Sequence, residues 1–218
     1  MADVRAFRAL RYDESVAGSL SDLICPPYDV ITPEERARLL RRSPHAFVAV
    51  ELPDDDAGYR AAADLLALWR ASGALRADAT PSLYVHEHEF TLGGTRLTRR
   101  GIFAALRLHA PEENVVLPHE RTFPKAKADR LELLRATRAN TSPVFALVDA
   151  GRAVNALARA ATPVAAARTG DDAHRLGAVM EPDAIRSFVA ALRSLRIYIA
   201  DGHHRYETAL TYATERGA

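Results

Sequence analysis

The sequence is poor in several things, and each scarcity removes an explanation. It has one cysteine, Cys25, so no internal disulfide is available and a reducing compartment is expected. No apolar run is long enough to span a bilayer. The opening segment MADVRAFRAL carries charges at residues 3, 5 and 8 where a signal peptide would have its apolar core. The expected location is therefore the cytoplasm, with no membrane partner. Charge of one sign is lacking too. The chain has 29 basic residues against 28 acidic ones, a net charge of +1, which gives no compositional basis for nucleic-acid binding. Internal repeats, low-complexity linkers and coiled-coil heptads are also missing. Lysine is scarcest among the charged types: Lys125 and Lys127 are the only two among the 29 basic residues. Where arginine replaces lysine almost everywhere, two lysines kept close together point to a need for a compact ammonium group.

What is present suits a folded globular protein. The chain has 218 residues, 48% hydrophobic and 26% charged, enough apolar material for a sizeable core. We expect one domain over residues 1–218, the N-terminal part of a longer natural chain. VRAFRAL reads as a first strand. SDLICPPYDVI reads as extended, because each proline restrains the residue before it. Thr32 caps a helix with Pro33 at its first position and Glu34 and Glu35 in its first turn, running to about Arg42. FVAVEL reads as a strand, and residues 58–72 as an amphipathic helix closed by Gly73. Two alternating runs around Gly93 and Gly94 predict a β-hairpin. PEENVVLP reads as a loop. PKAKADRLELLRATRAN is a helix with Ala128, Leu131 and Leu134 on its inner face. SPVFALVDA is then a strand, AVNALARAA a helix, and TPVAAART and AHRLGAVM strands. A helix opened by Glu181-Pro182-Asp183, the strand RIYIA and the helix HRYETALTYATE complete the order. The hairpin interrupts strict βαβ alternation, so the expected class is α+β, a mixed sheet with flanking helices.

Three polar clusters interrupt this pattern. The first is DGHHR, Asp201 to Arg205, between the strand RIYIA and the last helix. The first turn of a helix has free N–H groups and the positive end of the dipole, which suits a phosphate. Gly202 lets the backbone bend and a ligand approach. Arg205 offers a planar fork to phosphate oxygens. His203 and His204 can donate to oxygens or move protons, and Asp201 can hold a divalent ion or accept a proton. The second cluster is LPHERTFPKAKADR, with His119, Glu120, Lys125, Lys127 and Arg130 before and within a helix start. The third is CPPYDVI, a rigid segment that presents Tyr28 and Asp29. Cys25 reads as a small buried residue, since nothing near it lowers its pKa. His86 and His88 share a strand face, with Glu87 and Glu89 on the other; without a third ligand they read as a polar face and not as a metal site.

The three segments, in this order and at these separations, resemble the family catalogued as domain of unknown function 1015, over nearly the whole chain. The strand–DGHHR–helix element is also similar to the ParB-like superfamily, whose members grip nucleotide phosphates with such a turn, and to its free serine kinases. That resemblance implies a ParB-like phosphate element near the C-terminus, with Gly202, His203, His204 and Arg205 on the donor phosphates. The segment HERTFPKAK has no counterpart there, and from the residues themselves Lys125, Lys127 and Arg130 are expected to approach from the second cluster. Mg²⁺ is expected on Asp201, with ATP, ADP or pyrophosphate as donor. Tyr28, Asp29 and His119 would border a small-molecule acceptor, with free L-serine the best fit. Asp201, Glu120 and His203 are the catalytic candidates, and the base stays open between Glu120 and Asp201. A ParB-like nucleotide-binding regulator without turnover, acting through a homodimer, and a metal-dependent phosphoester hydrolase are the alternatives.

Overall fold

A computed structural model describes residues 1–54, 58–120 and 124–217, with only the backbone described at 124–126. As expected, the class is mixed α+β, with several small sheets and flanking helices. The chain forms two compact units.

The first unit comprises Met1–Ala9, Ala77–Leu117 and Ala146–Ile199. Its main sheet is antiparallel, in the order Thr95–Phe103, Leu83–Leu92, Asp172–Val179, Thr162–Thr169. The predicted hairpin joins the first two strands, and Gly93 and Gly94 both take positive φ, 56° and 78°. Such a turn matches the right-handed twist of the strands, and only residues without a Cβ enter it cheaply. Leu83, Val85 and Val179 pack against Leu157 of helix Gly151–Arg159 and against Phe188 and Leu192 of helix Pro182–Leu192. Val4–Arg5 pairs with Ala105–Leu106 as a separate short ladder. A third sheet places Ile197–Asp201 between Val116–Leu117 and Phe145–Leu147, so PEENVVLP holds a short strand where a loop was expected.

The second unit comprises Leu10–Arg76, Pro118–Phe145 and Ala200–Ala218. Its core joins Leu23, Val50, Ala62, Leu66, Trp69, Leu75 and Leu133. Trp69 fixes the centre, with the Tyr12 ring at 5.9 Å and the His45 ring at 5.8 Å. The helix from Pro33 forms as the sequence indicates, with the Thr32 hydroxyl accepting from the Glu35 N–H, and it ends at Leu40. Two expectations fail here. FVAVEL contains a helical turn, Val48–Glu51, and SDLICPPYDVI contains a helical turn, Leu20–Leu23, and a 3₁₀ turn, Tyr28–Val30. A short apolar run has no period of its own to separate a strand from a buried helix, and tertiary packing decides. The inner face of helix Pro124–Thr137 also differs. Leu133 and Arg130 are the buried residues, Leu131 and Leu134 are half-buried, and Ala128 is exposed. A buried arginine on that face conceals the apolar period.

One feature of the main sheet was only half visible in the sequence. His174, on the strand next to His86 and His88, completes a stack of three imidazoles, with ring centres 4.4 to 6.3 Å apart. His86 Nε2 lies 3.2 Å from His174 Nδ1. Arg99 donates to His88 Nδ1 at 3.1 Å, which leaves His88 Nε2–H to donate to Asp172 at 2.8 Å. Among the described residues no group of His, Cys, Asp and Glu is arranged to hold a metal ion. Burial pushes the His86 imidazole down to about 4, and the charges of His174, His88 and Arg99 add to it. Burial also lowers His174, with His88 and Arg99 adding and Asp172 opposing. An unfolded imidazole takes up a proton below about pH 6.5, whereas these remain neutral in the fold, so the unfolded state binds more protons. Their contribution is therefore complete above about pH 6.5 and is lost as pH falls toward 4. Denaturant midpoints of the protein and of His86→Gln, compared from about pH 7 to about pH 4.5, test this. The two curves should converge by about 1–2 kcal/mol on acidification, allowing for partial exposure. A constant difference between them would show that the stack does not titrate in this way.

Candidate functional site

The three sequence clusters all fall within the second unit. Strand Ile197–Asp201 delivers Asp201, Gly202 turns the chain at φ 88°, and helix His203–Glu215 begins at once. Among the described residues no side chain caps this helix start in the way a Ser, Thr or Asp would. Arg205 folds back over the turn. The positive φ is what favours glycine here; a Cβ added at Gly202 would stand 3.0 Å from the guanidinium and would make the end of that flexible side chain give by a few tenths of an ångström. Arg205 donates to the Asp201 carboxylate at 2.5 Å and to the Pro143 carbonyl. The helix start thus presents backbone donors beside a guanidinium held at two points.

The two histidines part company. His203 is buried, 4% exposed, and its Nε2 accepts from the backbone N–H of His119 at 3.3 Å. That leaves Nδ1 to carry the proton, facing Glu120 at 3.7 Å. The His119 ring meets the His203 ring edge to face at 4.6 Å. The first and second clusters therefore touch through His119, Glu120 and His203. His204 is half-buried on the first helical turn.

The second and third clusters meet at Arg130, which is 5% exposed. Its guanidinium lies 4.1 Å from the centre of the Tyr28 ring. It pairs with Asp129 at 2.6 Å and donates to the Glu51 carbonyl at 2.9 Å. Burial pushes the Tyr28 hydroxyl above its usual range, and the Arg130 charge works against that. The charges of Asp29, Arg205 and Asp129 also reach it, which ties the three clusters into one electrostatic neighbourhood. Asp29 is exposed on the same 3₁₀ turn. Lys127 pairs with Glu207 at 2.8 Å. The Lys125 side chain and Arg121, Thr122 and Phe123 lie outside the described residues. Cys25 fits the inert reading: burial, and then the charge of Glu51, push its thiol up to about 12.

Sequence reasoning missed Glu51 and the segment after helix Pro124–Thr137. Glu51 is 2% exposed. With Arg130, Arg205, Ser142 and Thr208 it lines a small cleft that is open to solvent. The available signal was an acid closing the apolar run FVAVE, which is out of place on a strand meant for a core. The polar run Asn140-Thr141-Ser142 gave none beyond its composition. Each described cation of the neighbourhood has a carboxylate: Arg205 has Asp201, Lys127 has Glu207, and Arg130 has Asp129. An anion arriving here exchanges partners and does not fill an empty positive pocket.

Among the described residues no helix is long and apolar enough to cross a membrane. No curated protein and no solved structure matches the chain. The model of one family matches residues 4–218, nearly the entire sequence, and the chain belongs to that family, described as protein of unknown function DUF1015.

Proposed function

We propose that the second unit is a phosphotransferase that moves a phosphoryl group from a nucleotide or pyrophosphate donor to a small hydroxyl compound, with free L-serine the best fit. The observation that carries this is the uncapped helix start at Gly202 with the Arg205 guanidinium lying against it. Backbone donors, the positive end of the dipole and a bidentate cation at one point are what a phosphate group requires. The ParB-like likeness of the segment supports the same use.

Phosphoryl transfer needs positioning and charge neutralisation more than covalent help from the protein. The hydroxyl oxygen of the acceptor forms the new bond to phosphorus as the bond to the leaving phosphate oxygen breaks. The hydroxyl proton passes to a carboxylate, Glu120 or Asp201, and from there to solvent. Donor oxygens on Arg205 would take the place of Asp201, and the freed carboxylate, already 56% exposed, would be available to Mg²⁺. Asp201 fits such an ion as a single carboxylate, since Mg²⁺ keeps most of its shell as water and phosphate oxygens. When bound, the ion would neutralise charge on the donor. Lys127, on leaving Glu207, and the Lys125 side chain would add positive charge from the second cluster. Tyr28 and Asp29 would border the acceptor.

A nucleotide-binding regulator without turnover is the second reading. The observation favouring it is that Arg205 bridges Asp201 and the Pro143 carbonyl. A phosphate that takes Arg205 would release both, which is how a ligand changes a surface.

³¹P NMR of the protein with Mg²⁺, L-serine and in turn ATP, ADP and pyrophosphate separates these. A phosphomonoester signal that requires serine is expected. Donor signals broadened without any turnover would favour the regulator. Asp201→Ala and Arg205→Ala test the site itself, and loss of Arg205 should weaken phosphate-donor binding about tenfold or more with the fold intact by circular dichroism. Unchanged donor affinity in both variants would remove the site from consideration. Gly202→Ala should cost about 1–3 kcal/mol of stability, from a left-handed alanine, and should weaken donor binding by pushing Arg205 aside. An alanine variant as stable as the parent would mean the turn carries no such constraint.

A further inference from the structure

We infer that the cleft bordered by Glu51 is the binding place for the ammonium group of a small α-amino acid, with Glu51 Oε2 as the accepting atom. This rests on the phosphotransferase reading for the role of the bound compound as acceptor. The binding itself rests on three features of the second unit.

The first is an orphaned oxygen. Glu51 Oε1 accepts from the Ser142 hydroxyl at 2.7 Å and faces Arg130 at 3.7 Å. Glu51 Oε2 is buried and has no hydrogen-bond partner among the described residues. Buried polar atoms are nearly always satisfied, and a carboxylate oxygen left unsatisfied is costly. The second is a count of charges. Among the described residues Arg130 is the one cation paired with Glu51, and it stands closer to Asp129, 2.6 Å against 3.7 Å. The other Asp129 oxygen accepts from the Tyr59 hydroxyl at 2.6 Å. One guanidinium thus serves two carboxylates, and Glu51 shares its counter-ion with Asp129. The third is the opening. Glu51 lines a cleft that also has Asn140, Thr141 and Thr208 on its wall, so the acid borders solvent-open space flanked by polar groups.

A group with N–H donors and positive charge satisfies the oxygen and balances the charge together. A neutral hydroxyl would satisfy the oxygen alone. Arg205 lines the same cleft, and its guanidinium suits the opposite end of a zwitterion, or the phosphate that the hydroxyl will attack. A cleft with a buried acid and an arginine on one wall selects an amino acid over a simple alcohol or a sugar.

Calorimetric titration of the protein with L-serine, L-threonine and L-homoserine, with no phosphate donor present, tests this. Glycerate, in which a hydroxyl replaces the ammonium of serine, is the matched control. At least one amino acid should bind, and glycerate should bind about tenfold or more weakly than serine. Glu51→Gln should weaken the amino acid by a similar factor and leave glycerate unchanged. Equal affinity for serine and glycerate, failure of all three amino acids to bind, or undiminished binding in Glu51→Gln would each overturn the inference. If Glu51→Gln does not fold, the comparison of serine with glycerate on the parent protein still decides. The two proposals fail differently. Amino-acid binding lost in Glu51→Gln, with no phosphoamino acid formed from any donor, overturns the transfer reaction and supports the ammonium site. Phosphoryl transfer to glycerate as readily as to serine overturns the ammonium site and leaves transfer standing.

Discussion

The second unit is organised around one buried guanidinium. Arg130 is 5% exposed, and taking a cation out of water costs several kcal/mol unless its donors are met. Here they are met from separate parts of the chain: the Asp129 carboxylate beside it, the Glu51 carbonyl from the turn Val48–Glu51, and the face of the Tyr28 ring after Pro26-Pro27. Each of those elements is too short to hold its own conformation. Val48–Glu51 is four residues and Tyr28–Val30 is three, below the length at which a helix persists by itself. The guanidinium is what fixes them beside helix Pro124–Thr137. Its planar fork and flat faces allow carboxylate, carbonyl and ring contacts together, which a lysine ammonium could not match.

The same bookkeeping of charge governs the rest of the site. Arg205 with Asp201, Lys127 with Glu207 and Arg135 with Glu132 and Glu215 are ion pairs, and two of them, Lys127 with Glu207 and Arg135 with Glu215, join helices far apart in sequence. A phosphate group therefore meets cations that, among the described residues, are already paired, and gains by exchange at short range. Exchange favours a ligand that brings its own counterion, since the displaced carboxylate then has somewhere to go. Glu51 stands apart from these pairs. Its cation, Arg130, is shared with Asp129 and stands closer to it, and Glu51 lies on the cleft that Arg205 also borders.

Much of the fold could be read because its signals were local. Thr32 before Pro33, two glycines between alternating runs, and Glu181 before Pro182 each specify backbone geometry over a few residues. The clusters could be read for a related reason: polar groups crowd at helix starts where backbone donors are free. What escaped was set by distant contacts. FVAVE is a strand by propensity and a helical turn because its surroundings, with Leu39 on one side and Trp69 and Leu133 on another, bury it on more than one face. His174 lies 88 residues from His86, and no spacing rule joins them. The inner face of helix Pro124–Thr137 was misplaced because the residue it buries beside Leu133 is an arginine, which pattern reasoning assigns to solvent.

The two kinds of cation in the site explain why both arginine and lysine are kept. Arg205 is held at two points, by Asp201 and by the Pro143 carbonyl, so its plane is set before any ligand arrives. A fork oriented in advance loses little further entropy on gripping phosphate oxygens. Lys127 has one carboxylate, Glu207, and both side chains are more than a third exposed. A pair of that kind is worth little in water and parts readily. An oriented guanidinium and an easily released ammonium suit different moments of one transfer, the first for receiving the donor and the second for following charge as it moves. In a chain that otherwise writes its cations as arginine, that difference is a physical reason for lysine to persist at this helix.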